Sequence, residues 1–304
     1  MSDIQKVAVV GASGNTGTAI VDALLKHGFE VTAITREGST ATFPPSVSLK
    51  RVDVSSKDGV LSAIRGQDAV VSCIAQAAVG GQDVILDAAV EAKVKRFLPS
   101  DYGIDYISAR STKVGKCLEG KVQTVDYLNK LTQQHTWFSW TGVATGMFFD
   151  WGLERGALGF DLKTRTATII DSGNEAFSTT NLATIGQAVA SILHHPEQTA
   201  NRMVKISSFK TTQNEVLQLL QAESGEKWQV KNTTGQDVEN IGDSLQQSGN
   251  PLCFVLYLQR YTFSDGGNTV WKDDENDNKL LELKQDEDIR ETIRRVLGES
   301  SSRV

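Results

Sequence analysis

Cysteine and histidine are scarce in this chain of 304 residues, and their scarcity argues against several classes of protein. Cys73, Cys117 and Cys253 are odd in number and widely spaced, so they predict neither a disulfide framework nor a CxxC metal site. Two of the four histidines, His194 and His195, fall at the end of a predicted helix, where capping or surface exposure is favoured over metal ligation. We therefore expect no metal site and a reducing, cytoplasmic location.

The chain also lacks long apolar runs and an excess of positive charge. No uninterrupted apolar segment approaches the roughly 20 residues that a membrane-spanning helix requires, and no charged segment followed by an apolar one opens the sequence. The formal net charge is -6, which argues against the basic surface that nucleic-acid binding requires. We expect a soluble, unexported protein that binds neither membranes nor nucleic acids directly.

The first half of the sequence alternates short apolar runs with amphipathic segments, as is typical of βα units in a parallel sheet. The predicted strands span residues 7–10, 30–34, 47–52, 69–74, 96–98 and 136–141. The predicted helices span residues 16–27, 57–65, 82–92 and 112–133. This order predicts an α/β protein with a Rossmann-type, doubly wound parallel sheet.

After about residue 142 the pattern changes to single helices separated by short strands and polar turns. Helices are predicted over residues 182–193, 213–222 and 285–297. Residues 271–288 are interpreted as a solvated loop, because their many acidic residues lack the spacing of an EF-hand. We expect a Rossmann domain over residues 1–145 and a smaller α+β substrate subdomain over residues 146–304, interleaved with the first.

The most informative motif is a glycine-rich turn directly after the first predicted strand. Gly11 permits a sharp turn, Gly14 lets the backbone approach a pyrophosphate, and Gly17 lets the next helix pack closely on the strand. The start of that helix offers free N–H groups and a positive dipole end to phosphates. The motif favours a dinucleotide-binding loop over a plain glycine-rich turn. Its predicted cofactor contacts are Gly11, Ser13, Gly14, Asn15, Thr16 and Gly17.

Arg36 follows the second predicted strand, where an enzyme that uses NAD would carry Asp or Glu for the ribose hydroxyls. A guanidinium can pair with a 2′-phosphate and stack on adenine, whereas a carboxylate would repel that phosphate. Glu37 follows immediately and weakens the preference without removing it. We predict NADPH over NADH, with Ala75, Gln76 and Ser100 completing the cofactor site after the fourth and fifth strands.

Lys121 occupies a helix position that normally carries no charge. Leu118, Val122, Val125 and Leu128 recur at helical spacing, and Lys121 lies on or beside this apolar stripe. Its aliphatic stem could cover apolar surface while the ammonium reaches water. Alternatively, the ammonium points into the cofactor cleft, where burial and nearby charge would lower its pKa for acid–base chemistry. Spacing alone favours the first interpretation and leaves the second open.

Several segments together resemble one known family. They are the glycine motif, the segment Val-Lys-Arg-Phe-Leu-Pro-Ser-Asp-Tyr-Gly at residues 94–103, and the helix that carries Lys121. Further similarity runs through residues 141–142, 146–148 and 183–186, so it covers the chain to about residue 210. These segments resemble the isoflavone reductase-like and NmrA-like group of atypical short-chain dehydrogenases.

The resemblance implies a role for Lys121. In the reductase branch, which includes phenylcoumaran benzylic ether reductases, a lysine in this helix is the catalytic group beside the nicotinamide. The Tyr-x-x-x-Lys pair of ordinary short-chain dehydrogenases is missing, since Tyr127 precedes Lys130 by one residue too few. The chain departs from the plant reductases at residues 99–103, where they resemble Pro-Ser-Glu-Phe-Gly, and from Lys210 onward it does not resemble their pattern.

The leading hypothesis is a reductase in which NADPH delivers hydride to a small aromatic or conjugated molecule and Lys121 supplies or relays the proton. The rival, implied by the NmrA branch, is a regulatory protein that binds the dinucleotide and a protein partner without turnover. An epimerase or dehydratase is the weaker alternative, because such enzymes generally carry the Tyr-x-x-x-Lys pair. The sequence fixes no oligomeric state and is compatible with a homodimer.

The substrate is expected in the cleft beyond the strand ends, the usual ligand position in such sheets. Aromatic residues after the sixth strand would line this cleft, although the same side chains would serve equally well in core packing between subdomains. The predicted substrate contacts are Tyr102, Met147, Phe148, Phe149 and Trp151.

Overall fold

Strands and helices alternate through most of the computed structural model, which describes residues 4–75, 81–267, 269–284 and 287–301. The strands are β1 (Lys6–Val10), β2 (Glu30–Thr35), β3 (Ser48–Arg51), β4 (Ala69–Ser72), β5 (Arg96–Leu98), β6 (Ser139–Ala144), β7 (Met147–Phe148), β8 (Phe160–Asp161), β9 (Thr166–Ile170), β10 (Phe177–Thr180), β11 (Arg202–Lys205), β12 (Phe209–Thr211) and β13 (Gln229–Thr233). The helices are α1 (Asn15–Lys26), α2 (Lys57–Ile64), α3 (Asp83–Glu91), α4 (Lys113–Cys117), α5 (Glu119–Gln134), α6 (Phe149–Glu154), α7 (Leu182–His194), α8 (Gln213–Ser224), α9 (Gly235–Gln247), α10 (Cys253–Phe263) and α11 (Ile289–Ser301).

Seven strands form one parallel sheet in the order β11-β6-β5-β4-β1-β2-β3. Strand β1 is buried after its first residue, as expected for a parallel strand that is covered on both faces. The strand order changes direction between β1 and β4, so a crevice opens beyond their carboxyl ends. The predicted Rossmann-type, doubly wound α/β fold is confirmed.

Helices cover both faces of this sheet. On one face, α1 and α7 pack together and share an apolar core that includes Ile20, Leu24 and Ile185. On the opposite face, α2, α3 and α5 build a second core that includes Ile64 and Leu128. Helices α1 and α5 therefore lie on opposite faces of the sheet.

Two smaller sheets follow, in the orders β12-β10-β7 and β13-β9-β8. A third apolar core lies among them and contains Phe149 and Leu153 of α6, Val216 of α8 and Ile293 of α11. Strand β11 and helix α7, which come later in the chain than β7, nevertheless belong to the main sheet and its covering layer. The division of domains at residues 145 and 146 stays a prediction.

Several element bounds differ from the prediction, and two of the differences have a visible physical reason. The helix expected over residues 112–133 is interrupted at Leu118, whose φ of -103° and ψ of 9° leave the helical range while its side chain enters an apolar cluster with Tyr257. The strand expected over residues 136–141 begins only at Ser139, because a turn precedes it in which the Phe138 N–H donates to the His135 carbonyl at 3.0 Å.

The interpretation of residues 271–288 as a solvated loop was wrong in part. The described residues of this segment lack regular strands and helices, but Leu281 and Leu283 are buried in the core beneath α1 and α7. Asp277 also pairs with Arg202. Helices α9 and α10 were not predicted, and the last helix begins at Ile289, after residues 285 and 286, which lie outside the described residues.

The cysteines and two of the histidines can be placed in this fold. All three cysteines are free thiols. His194 ends α7 and His195 caps it, with its Nδ1 at 2.9 Å from the Ser191 carbonyl. Within the described ranges, no cluster of three or more histidine, cysteine or acidic side chains could hold a metal ion. None of the helices in those ranges has the length and apolar character to cross a bilayer.

Replacing Gly186 by alanine should separate α1 from α7. A Cβ at Gly186 would lie 2.4 Å from the Ala19 carbonyl oxygen, so the helices must move apart. We expect Gly186→Ala to lower the free energy of unfolding by about 1–3 kcal/mol in urea denaturation. Gly298→Ala is the matched control, because no atom lies within 4 Å of the added Cβ and alanine favours the helix by up to about 1 kcal/mol. Equal effects of the two variants would contradict this account of the packing.

Candidate active site

The turn between β1 and α1 depends on two glycines. Gly11 has a φ of 80°, and a Cβ there would lie 2.5 Å from the Cys73 carbonyl oxygen at the end of β4. A Cβ at Gly17 would lie 2.3 Å from the Gly11 carbonyl oxygen. These contacts agree with the sharp turn and close helix packing predicted for the two positions. They bring the start of α1 directly against the ends of β1 and β4.

The N-terminus of α1 is open toward the crevice. Gly14 caps the helix without a side-chain hydrogen bond, and the first helical bond runs from the Thr18 N–H to the Gly14 carbonyl at 2.8 Å. The N–H groups of Asn15, Thr16 and Gly17 therefore precede the helical hydrogen-bond pattern. Ser13, Gly14 and Asn15 are exposed. This arrangement can receive an anion such as a diphosphate.

Arg36 lies where the cofactor's adenosine would be expected if the diphosphate occupied the α1 N-terminus. It is exposed directly after Thr35, the last residue of β2, and forms no ion pair with any residue that the structure describes. The Thr35 hydroxyl is buried without a hydrogen-bond partner in the protein. Glu37 is exposed as well. An exposed guanidinium at this strand end could pair with a phosphate on the ribose.

The residues after β4 and β5 were predicted to complete the cofactor site. Ala75 is exposed after β4, and Gln76 lies outside the described residues. Ser100 is buried, and its hydroxyl donates to the Ile74 carbonyl at 2.8 Å, so it ties the ends of β5 and β4 together. The Ser100 N–H donates to Gln82 Oε1 at 2.9 Å, while Gln82 Nε2 is buried without a partner. Gln82 was not predicted.

Lys121 is buried, with only 4% of its surface exposed. Its Nζ donates to the Tyr102 carbonyl at 3.3 Å and lies 3.9 Å from the position of a Cβ at Gly103. The interpretation that its ammonium reaches water was therefore wrong. Burial lowers the pKa of Lys121, and the negative charge of Asp101 opposes this effect.

Asp101 is the charged residue of the site that sequence reasoning missed. It is fully buried two residues before Gly103, and its Oδ2 accepts a hydrogen bond from the Tyr106 hydroxyl at 3.0 Å. Burial raises the pKa of Asp101 to about 6, against the opposing effects of Lys121 and Tyr106. The available signal was its position: a carboxylate three residues after the buried end of β5 and two residues before a glycine.

Tyr102 was predicted to contact substrate, and its side chain packs into the sheet core beneath α1 and α7. Its hydroxyl is buried without a hydrogen bond that meets normal geometry and lies beside the Cys73 thiol. Burial raises the pKa of Tyr102 well above its usual value and that of Cys73 to about 12, so both groups are neutral at physiological pH. Tyr102 therefore faces the side of the site where β1 and β4 end.

A cavity of about 670 Å³ opens on the other side of this backbone segment. Its lining includes Ile104, two residues after the Tyr102 carbonyl that Lys121 contacts, together with Met147, Tyr261 and Trp271. Lys205 crosses one wall, 3.1 Å from Asp105 and 5.2 Å from the centre of the Trp271 ring. A volume of this size suits a small organic molecule.

The predicted aromatic substrate contacts divide between the surface and the core. Phe148 and Trp151 are partly exposed and pack edge to face, with ring centres 6.2 Å apart. Phe149 is fully buried against Phe209 in the third core, which favours the packing interpretation at that position. Of the predicted set, Met147 lines the cavity.

Comparisons with known proteins agree with the geometry. The model of the NmrA-like family matches residues 3–261. The chain is 36% identical over 246 residues to oxidoreductase poxI of Penicillium oxalicum, covering 80% of this chain and 78% of the relative. It is 33% identical over 282 residues to oxidoreductase aprR of Aspergillus flavus, covering 91% and 94%. The match to the family model bears out the resemblance inferred from the sequence.

The fold is also found among solved structures. The complex of leucoanthocyanidin reductase with NADPH from Vitis vinifera superimposes with a TM-score of 0.79. The comparison covers 96% of this chain and 99% of that one, at 16% sequence identity. Similarity at this level of identity concerns the fold.

Proposed function

This chain belongs to the NmrA-like family, and we propose that it is an NADPH-dependent reductase that transfers hydride to a small aromatic or conjugated molecule. The observation that carries the proposal is the buried ammonium of Lys121, which donates to the Tyr102 carbonyl two residues before Ile104, a residue of the cavity lining. A buried cation without a direct ion pair is costly for stability, and such groups are concentrated at functional sites.

The residues present fit NADPH. The turn at Gly11 and the open N-terminus of α1 suit the diphosphate, and Arg36 suits the 2′-phosphate. The unsatisfied Thr35 hydroxyl and Gln82 Nε2 are buried polar atoms that a bound dinucleotide could satisfy. The names of relatives agree, since two are called oxidoreductases and a structural neighbour was solved with NADPH.

NADPH held by the α1 N-terminus and Arg36 would supply the hydride for an electrophilic carbon of the substrate. Lys121 holds a proton on Nζ and transfers it to the substrate atom that takes up the displaced electron pair, directly or through one water. The lysine then regains a proton from solvent. The Tyr102 carbonyl fixes the direction of Nζ, and the cavity beside Ile104 and Met147 holds the substrate.

Removing the Arg36 guanidinium should weaken NADPH binding selectively. Loss of a charge-assisted contact costs about 1.5–3 kcal/mol, so Arg36→Ala should raise the Kd for NADPH roughly 10- to 100-fold and leave that for NADH nearly unchanged. Isothermal titration calorimetry measures both constants. Arg65→Ala is the control. Arg65 is exposed after the last residue of α2 and shortly before the first residue of β4, so it lies at the amino edge of the sheet, opposite the predicted cofactor site. An unchanged NADPH preference in Arg36→Ala would remove the assignment of this residue.

Removing the Lys121 ammonium should abolish turnover without loss of cofactor binding. We expect Lys121→Met to lower kcat by about 100-fold or more, the contribution typical of a general acid, while the Kd for NADPH stays within about twofold. Turnover is followed at the nicotinamide absorbance with phenylpropanoid, enone and quinone substrates. Lys116→Met, which alters an exposed lysine on α4, should behave as the wild type.

Two results would count against the reductase. Full activity of Lys121→Met would show that this lysine is not the proton donor. A wild-type protein that binds NADPH tightly but oxidises it with none of the substrates would instead favour a dinucleotide-sensing regulatory protein.

A further inference from the structure

We propose that Asp101 is a positioning residue that acts through its charge on Lys121 and keeps the lysine protonated at neutral pH. The inference rests on the proposed reductase function, because it assigns Lys121 the role of proton donor. Asp101 itself is not proposed to contact the substrate. Both residues are buried, and the Tyr102 carbonyl that accepts from Lys121 Nζ at 3.3 Å belongs to the residue next to Asp101.

Asp101 is enclosed by groups that leave its charge only partly compensated. The Tyr106 hydroxyl donates to Oδ2, whereas Oδ1 is buried and has no hydrogen-bond partner in the protein. A Cβ at Gly142 would lie 3.0 Å from Oδ2 and 2.1 Å from Met203 Sδ, so the glycine provides the space for the carboxylate. A carboxylate placed here with one neutral hydrogen bond is unfavourable unless a positive charge lies nearby.

Lys121 is a buried positive charge that likewise has few hydrogen-bond partners. Its ammonium carries three protons that can donate hydrogen bonds, and the carbonyl of Tyr102 accepts one of them at 3.3 Å. Burial favours loss of the proton, and the charge of Asp101 favours its retention. Each charge is therefore the principal electrostatic compensation for the other, even though they do not form a direct ion pair.

The other titratable groups around the pair cannot replace Asp101. Burial raises the pKa of Tyr106, Tyr102 and Cys73, so these groups are neutral where the enzyme would work. Asp105 is 3.1 Å from Lys205, which neutralises much of its charge. Asp126 on α5 is exposed, so solvent screens it. Among the described residues facing Lys121, Asp101 is thus the unscreened anion.

The arrangement has a direct consequence for the proposed reaction. Because the pKa of Asp101 is about 6, its carboxyl is mostly ionised at neutral pH. The field of this anion keeps a proton on Lys121 Nζ in a site where burial would otherwise remove it. When the N–H bond breaks and the proton passes to the substrate, the neutral amine is re-protonated from water, again favoured by the same anion.

The coupling can be measured without any substrate. In protein labelled with ¹³Cε-lysine, the Lys121 signal is identified by its loss in Lys121→Met, and its titration is followed by NMR. We expect the titration midpoint of Lys121 to shift to lower pH in Asp101→Asn and to stay unchanged in Asp126→Asn, the control with an exposed carboxylate on α5. An unchanged midpoint in Asp101→Asn would overturn the proposal, whether or not the protein proves to be a reductase.

A reciprocal measurement covers the case in which Asp101→Asn does not fold. Coupling between two titrating groups is mutual, so removing the lysine charge must affect the carboxyl equally. The ¹³Cγ titration of Asp101 should therefore move to higher pH in Lys121→Met than in the wild type. The same midpoint in both proteins would overturn the proposal.

Kinetics separate this role from a merely structural one. If the reductase is active, the alkaline limb of its kcat profile should move to lower pH in Asp101→Asn, and Asp101→Glu, which restores the charge, should move it back toward the wild-type position. A uniform loss of kcat at every pH, with no movement of the limb, would contradict an action through Lys121.

Discussion

Two opposite charges kept out of water at the carboxyl end of β5 are the constraint on which the site depends. Lys121 and Asp101 are both buried, and neither has a full set of hydrogen-bond partners in the protein. Apolar side chains of similar volume often stabilise a fold as well as or better than such a pair. Buried titratable groups are concentrated at functional sites, so the pair supports the proposed role of Lys121 in chemistry.

Close backbone approach is what positions these charges beside a cofactor groove. Gly11 and Gly17 let α1 begin directly against the ends of β1 and β4, and Gly186 lets α7 hold α1 in place from behind. Gly142 performs a similar task for Asp101, because any side chain there would occupy the volume of Met203 and the carboxylate. The groove and the buried pair are thus built by the same means, the absence of a Cβ where two elements meet.

The sequence predicted those features that follow from periodicity. Apolar runs located the strands of the first half to within a few residues, and helical spacing placed Lys121 on a buried stripe, where the structure finds it. Features that depend on tertiary contacts were not accessible. Leu118 leaves the helical conformation although leucine favours helices, and Leu281 and Leu283 are buried in a segment whose composition is typical of a solvated loop. Asp101 was missed for a related reason, since a polar residue after a strand ordinarily faces water.

For Lys121 to act as the proton donor, the nicotinamide end of the cofactor must lie beside it. A crystal structure of the protein with NADP⁺ tests this most directly. We expect the diphosphate on the N-terminus of α1 and Lys121 Nζ within one bridging water of the nicotinamide ring. A nicotinamide that lies elsewhere, with Lys121 still enclosed by protein groups alone, would contradict the central claim.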